Sequence, residues 1–197
     1  HQDPQIRHPG GGGMKRYRDI VILVTFAVVA GGALSGVYGM TREKIAAAAK
    51  LERTNALKAV LPTLSGEAQE VVLEHNGLKI PAILDGAKEA FQGAVLELET
   101  KKGYSGTIKF MVGVGKDRRV TGLYILAQNE TPGLGTKAKD KAWWGQFLGK
   151  GQDNFKFKVK KDGGDADAIT AATITSRAIT DQTDIGLTAL AAHLEKR

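Results

Sequence analysis

Residues Ile20 to Met40 carry no charged side chain, and this one run restricts what the chain can be. At a rise of 1.5 Å per residue, about 20 apolar residues span the roughly 30 Å hydrocarbon core of a bilayer. The run is therefore expected to be a transmembrane helix over residues 20–40. Lys15, Arg16 and Arg18 precede it, whereas Arg42 and Lys44 follow with Glu43 between them. That bias favours a cytoplasmic N-terminus at residues 14–19 and puts the rest on the periplasmic or external side of the inner (cytoplasmic) membrane, a single-pass arrangement. Small residues in Ala33-Leu34-Ser35-Gly36 leave a cleaved signal peptide as the competing reading, although the uncharged run is longer than the usual hydrophobic region of one. Residues 1–13, ahead of Met14, read as a leader or an added tail.

Thr41 to Arg197 is enough chain for one domain with a sizeable core. Residues 41–70 are expected to be helix and linker, with an Ala-rich amphipathic helix from about Arg42 to Val60 ended by Pro62. The domain proper then occupies 71–197. Strand-like runs are Val71–Glu74, Ala94–Thr100, Thr107–Gly115 and Val120–Gln128, separated by Gly, Asp and Lys turns. Asp140–Leu148, carrying Trp143, Trp144 and Phe147, reads as a short helix whose tryptophans pack in the core and at its rim. Ile174, Ala178, Ile185, Ala189 and Leu190, with Ile179, Leu187 and Leu194 beside them, fit one broad helix face reaching Leu194. The fold class expected is α+β, one domain with a twisted, mainly antiparallel sheet and packed helices, preceded by one transmembrane helix.

Several kinds of chemistry drop out on composition. There is no cysteine, which removes disulfides, redox dithiols and thiolate-held iron–sulfur clusters. His1, His8, His75 and His193 are scattered without metal-ligand spacing, so no metal site is expected. A net charge of +7 and the stretch Phe155-Lys156-Phe157-Lys158-Val159-Lys160-Lys161 invite a nucleic-acid reading. Period-two alternation is the simpler account: Phe155, Phe157 and Val159 face a core and the lysines face solvent. Electrons, if the protein moves them, need an organic cofactor.

Two segments carry the chemical signal. Asp167-Ala168-Ile169-Thr170-Ala171-Ala172-Thr173-Ile174-Thr175-Ser176 is a run of small and hydroxyl residues where the C-terminal helical pattern begins. Thr173 is thus expected at the helix N-terminus, where unpaired N–H groups and the positive end of the macrodipole favour a phosphate. The same residues also suit a plain N-cap. Upstream, Gln128-Asn129-Glu130-Thr131-Pro132-Gly133-Leu134-Gly135-Thr136-Lys137 holds an apolar Leu134 between two glycines at the tip of a tight turn, which no turn requires. A weaker signal is Gly103-Tyr104-Ser105-Gly106-Thr107-Ile108, a glycine turn entering a strand.

In this order the segments resemble the FMN-binding domain family shared by the G subunit of the Rnf electron-transport complex and the C subunit of the sodium-translocating NADH:quinone reductase. Asp167 to Thr173 resembles the family's flavinylation motif, Asp-x-x-Ser/Thr-Gly-Ala-Thr, and Glu130 to Gly135 resembles its Glu-Thr-Pro-Gly-Leu-Gly loop. The resemblance implies covalent FMN in phosphoester linkage to Thr173 and no catalytic residue in the chain itself. It implies cofactor contacts from Glu130, Thr131, Leu134, Gly135 and Thr136, and from Thr170, Ala171, Ala172, Ile174 and Thr175. Lys160, on the turn leading to the motif, is a further candidate beside the phosphate or ring. A threonine hydroxyl needs an activating base that no nearby His or Cys supplies. The resemblance accordingly implies a separate flavin transferase that reads Asp167, Thr170, Ala172 and Thr173. Where the family has Gly, this chain has Ala171, whose methyl disfavours a positive φ.

The function so implied is a membrane-anchored electron-transfer subunit, part of an ion-translocating ferredoxin:NAD⁺ oxidoreductase of the Rnf type, with other membrane subunits as partners. The corresponding component of the quinone reductase stands close behind. A non-redox envelope protein with an ordinary helix cap is the alternative from another class.

Overall fold

The computed structural model describes residues 12–64, 68–86 and 90–195, with side chains from Tyr17 onward; residues 1–11 of the expected leader lie outside that range. The chain divides into two compact units between Lys50 and Leu51. The described part of the first unit is wholly helical and belongs to α1, Gly12–Val60. Its apolar side chains are exposed, and among the described residues this is the one helix long and apolar enough to cross a bilayer. The expected separate helix after residue 41 is absent as a separate element. Residues 41–50 contain no Gly or Pro and are rich in Ala, so nothing interrupts the helix there.

The second unit holds a five-stranded antiparallel sheet in simple chain order: β1 (Gln69–His75), β2 (Leu78–Asp85), β3 (Gly93–Gly103), β4 (Gly106–Gly115) and β5 (Val120–Ala127). Strand β2 falls outside the strand-like runs of the sequence because Pro81 interrupts Leu78-Lys79-Ile80 before Ala82-Ile83-Leu84. At Pro81 the strand pairs on one side only, with Val72 of β1, since its ladder to β3 covers Ala82 to Asp85. Asn76 and Gly77 both take positive φ, 49° and 77°, and close the β1–β2 hairpin as a two-residue turn of the type that matches strand twist.

One sheet face receives the end of α1. Ala56, Val60 and Leu61 form a small core with Ile83, Val95 and Met111. The approach is close because Gly113 and Gly122, paired across β4 and β5, have no side chains: a Cβ on Gly113 would lie 2.1 Å from the Val60 carbonyl oxygen. Thr121 donates its hydroxyl to that same oxygen at 2.6 Å.

The opposite face carries the main core. It is covered by α3 (Thr173–Glu195), the one-turn α2 (Lys141–Trp144) and the irregular stretch between them. On α3, Ala178, Ile179, Leu187, Ala189 and Leu190 are buried, while Ile185 and Leu194 are partly buried. Ile174 departs from that expected face; it is 46% exposed. Thr180 and Thr183 are buried too, each returning its hydroxyl to the carbonyl four residues back, so neither hydroxyl is left bare in the core.

The alternation at 155–159 is present in burial but not as a ladder strand. Phe157 and Val159 are buried, Lys156, Lys158 and Lys160 are exposed, and the pairing there is a single parallel bridge from Val159 to Ala166. Phe155 and Phe157 instead pack around Phe147, with ring centroids 5.9 and 6.0 Å away, and Trp143 meets Phe147 edge-on at 5.4 Å.

Candidate functional site

Three segments distant in sequence meet at the N-terminal end of α3 and enclose a cleft of about 450 Å³, within the size range of small-molecule sites. Its walls are Tyr104 from the β3–β4 turn, Glu130, Thr131, Leu134 and Gly135 from the loop after β5, and Ala171, Ala172, Thr173, Ile174 and Thr175. Nine of these ten are residues singled out in the sequence as cofactor contacts or the attachment threonine. Tyr104, 69% exposed, was in view only as part of a glycine turn.

The loop after β5 owes its shape to Thr131-Pro132-Gly133-Leu134. Pro132 fixes φ, Gly133 has φ 75°, and the Leu134 N–H donates to the Thr131 carbonyl at 3.1 Å, a turn with the residues of type II. Thr136 is not on the cleft wall; its Oγ1 accepts from the Gly133 N–H at 2.9 Å and so closes the loop from behind. Leu134 is left 38% exposed with its side chain on the cleft.

Glu130 joins all three segments. It is 4% exposed, and its Oε1 accepts from the Ser105 N–H at 3.0 Å while its Oε2 accepts from the Thr175 hydroxyl at 2.5 Å. The carboxylate fits because two neighbours lack side chains. A Cβ on Gly135 would lie 2.8 Å from Oε2, and one on Gly103 would lie 2.7 Å from Oε1.

Thr173 is the first residue of α3 and is half-buried on the cleft wall. The turn before it is held by the main chain and by side chains that the sequence did not suggest. Trp143 donates its indole N–H to the Asp167 carbonyl at 2.7 Å. Gln146 brackets the same residue, accepting from the Asp167 N–H at 2.6 Å and donating to its carbonyl at 3.2 Å. Ser176 Oγ accepts from the Ile169 N–H at 2.9 Å and donates to the Ala172 carbonyl at 3.0 Å. The Ala172 N–H closes onto the Ile169 carbonyl at 2.9 Å. Within that turn Ala171 has φ 61°, the conformation its methyl was expected to disfavour. The turn takes that conformation because buried Ile169 on one side and α3 on the other fix both of its ends.

Other candidates lie elsewhere. Asp167 and Thr170 are exposed and off the cleft wall. Lys160 is also off the wall; its ammonium meets Asp167 Oδ1 at 2.8 Å, and with both side chains more than half exposed the pair adds little stability. Trp143 and Trp144 are not on the wall either; the Trp144 indole donates to the Lys139 carbonyl at 3.2 Å. Beside the site, Arg177 grips Asp162 with two hydrogen bonds, which hold the Asp162 carboxyl below the usual carboxylate range. Asp181, one turn further along α3, is pushed above that range by partial burial.

The cleft is a fair match to a flavin mononucleotide. Leu134, Ile174, Ala171 and Tyr104 give it apolar surface for a flat ring system. The N–H groups of Thr173, Ile174 and Thr175, the first of α3, have no acceptor within the helix and suit a phosphate. Among the described residues no group of His, Asp or Glu is arranged to hold a metal.

Residues 103–187 match the family model of the FMN-binding domain, and residues 18–60 match that of the RnfG N-terminal region. The chain is similar to the G subunit of the ion-translocating oxidoreductase complex of Aliivibrio fischeri strain ES114, 36% identical over 173 residues covering 81% of this chain and 82% of that protein. The protein of the same name from Shewanella amazonensis is 35% identical over 175 residues, 80% of each chain. That from Escherichia coli strain K12 is 34% identical over 179 residues, 81% of this chain and 83% of its own.

Proposed function

Because the chain belongs to the family of the G subunit of ion-translocating oxidoreductase complexes, we propose that it is the FMN-carrying electron-transfer component of an Rnf-type complex, with FMN joined through a phosphoester to Thr173. The observation that carries the reading is the position of Thr173: first residue of a 23-residue helix, on the wall of a cleft shared with Glu130, Thr131, Leu134, Gly135 and Tyr104. Bound FMN would supply a centre that exchanges electrons singly or in pairs.

The chain's own residues hold and shield that centre. The opening of α3 receives the phosphate, while Leu134, Ile174 and Tyr104 give apolar contact to the ring and limit water at it. Thr131, Gly135, Ala171, Ala172 and Thr175 complete the enclosure. No residue on the wall is placed to activate the Thr173 hydroxyl, because the one carboxylate there already accepts from Ser105 and Thr175. A flavin transferase is therefore the agent of attachment, and the exposed Asp167 and Thr170 are open to it. The apolar part of α1 anchors the protein beside the other membrane subunits, with the domain from residue 71 on the external side as the charges around the span favour.

Co-expression with a flavin transferase, followed by unfolding and desalting, tests the reading. Flavin absorbance should stay with the parent protein and be lost from Thr173→Ala. Loss of flavin from the unfolded parent would overturn covalent attachment, and retention by Thr173→Ala would move it to another residue.

A further inference from the structure

Glu130 is placed for a task beyond lining the cleft. Its carboxylate is buried, yet no cation is paired with it among the described residues, and no Lys or Arg lies on the cleft wall. Its two oxygens are instead served by one main-chain N–H and one hydroxyl, at 3.0 and 2.5 Å. A carboxylate taken out of water without a counter-ion is costly, and two neutral donors offset that only in part. An apolar residue or a glutamine at this position would fill the space between Gly103 and Gly135 without placing a charge there.

On the reading that FMN occupies this cleft, we propose that Glu130 is the residue that sets the flavin's reduction potential, by holding a fixed negative charge against it. Electrons added to the ring bring negative charge into a cleft that already contains one. Because Glu130 is itself 4% exposed, its charge is weakly screened, so the carboxylate opposes reduction and lowers the potential. The hydrogen bonds from Ser105 and Thr175 keep the carboxylate from swinging out to solvent, and Gly103 and Gly135 leave it room. Ser105, Thr175 and the two glycines are thus positioning residues that act through Glu130.

The flavin-loaded full chain is titrated with dithionite as the electron source, beside Glu130→Gln and Glu130→Asp, and the potential is read from the flavin spectrum so that loading does not enter. Glu130→Gln keeps the shape and removes the charge, and its midpoint should rise above the parent's. Glu130→Asp keeps the charge on a shorter stem, and its midpoint should stay nearer the parent's than that of Glu130→Gln. Equal potentials in parent and Glu130→Gln, or the same rise in both variants, overturn the inference and leave Glu130 as a structural tie. Should Glu130→Gln not fold, Glu130→Met, apolar and of similar length, takes its place; a midpoint no higher than the parent's then overturns the inference. A parent that takes up no flavin overturns the functional reading itself, and this inference with it.

Discussion

Replacing Ala171 by glycine should make the protein more stable, although it removes a methyl group and adds none. Ala171 has φ 61° in the turn closed by the Ala172 N–H on the Ile169 carbonyl. An L-residue in that left-handed region costs about 1–2 kcal/mol, from the approach of Cβ to the following carbonyl oxygen, and glycine avoids it. Against this, glycine frees the unfolded chain by about 0.4–1 kcal/mol. The methyl itself is on an exposed residue, so its lost burial is small. The net gain is about 0.5–1 kcal/mol, which for a domain of this size raises the melting temperature by about 1–4 °C. Calorimetry on the detergent-solubilised chain, parent against Ala171→Gly, measures it. Ala171→Val provides the contrast, because a β-branched residue is still less suited to positive φ, and it should melt below the parent. If Ala171→Gly melts at or below the parent temperature, the turn is not strained by its methyl and the reasoning fails.

Other perturbations read different parts of the account. Leu134→Ala should alter the flavin absorption spectrum and speed its quenching by a soluble quencher at unchanged flavin content; a spectrum and quenching rate equal to the parent's would make Leu134 a turn residue only. Asp181, held above the usual carboxylate range by partial burial, binds its proton more tightly folded than unfolded. It therefore favours the fold below the unfolded-state value and loses that contribution as pH rises through the folded one. Asp181→Asn should accordingly melt higher than the parent at neutral pH, with the difference shrinking in acid; a constant difference across pH would contradict this. A reporter fused after Arg197 should be active only outside the cytoplasm, and cytoplasmic activity would reverse the orientation of α1.

Much of the architecture was legible because it rests on repeating patterns. The uncharged run was legible from its length, and the strands and the long final helix follow from periodicities that burial imposes. What escaped had specific local causes. Strand β2 was hidden by Pro81, although Asn76-Gly77 was a hairpin signal in plain view. Ile174 has the spacing of a core residue on α3 but lies on the cleft, while Thr175 and Ser176 take the buried side of that first turn. The cleft itself was legible from two motifs, since the loop around Leu134 and the turn before Thr173 use residue types that ordinary turns and caps do not need together. The clamp on Asp167 was not. Gln146 and Trp143 act on main-chain atoms, and a side chain bonded to backbone leaves no trace in the identity of its partner. For Lys160, position in the sequence suggests the phosphate or ring, and in the structure its ammonium is beside Asp167.

The central claim is that Thr173 carries the flavin, and intact-mass measurement tests it most directly. The full chain is co-expressed with a flavin transferase, unfolded, desalted and weighed, alongside Thr173→Ala. The parent should gain the mass of one FMN less one water, and peptide mapping should put that gain on the segment containing Thr173. The variant should gain nothing while still folding, since loss of one hydroxyl at a helix start costs at most about 1–2 kcal/mol. An unmodified parent, or an equal gain in Thr173→Ala, would contradict the account.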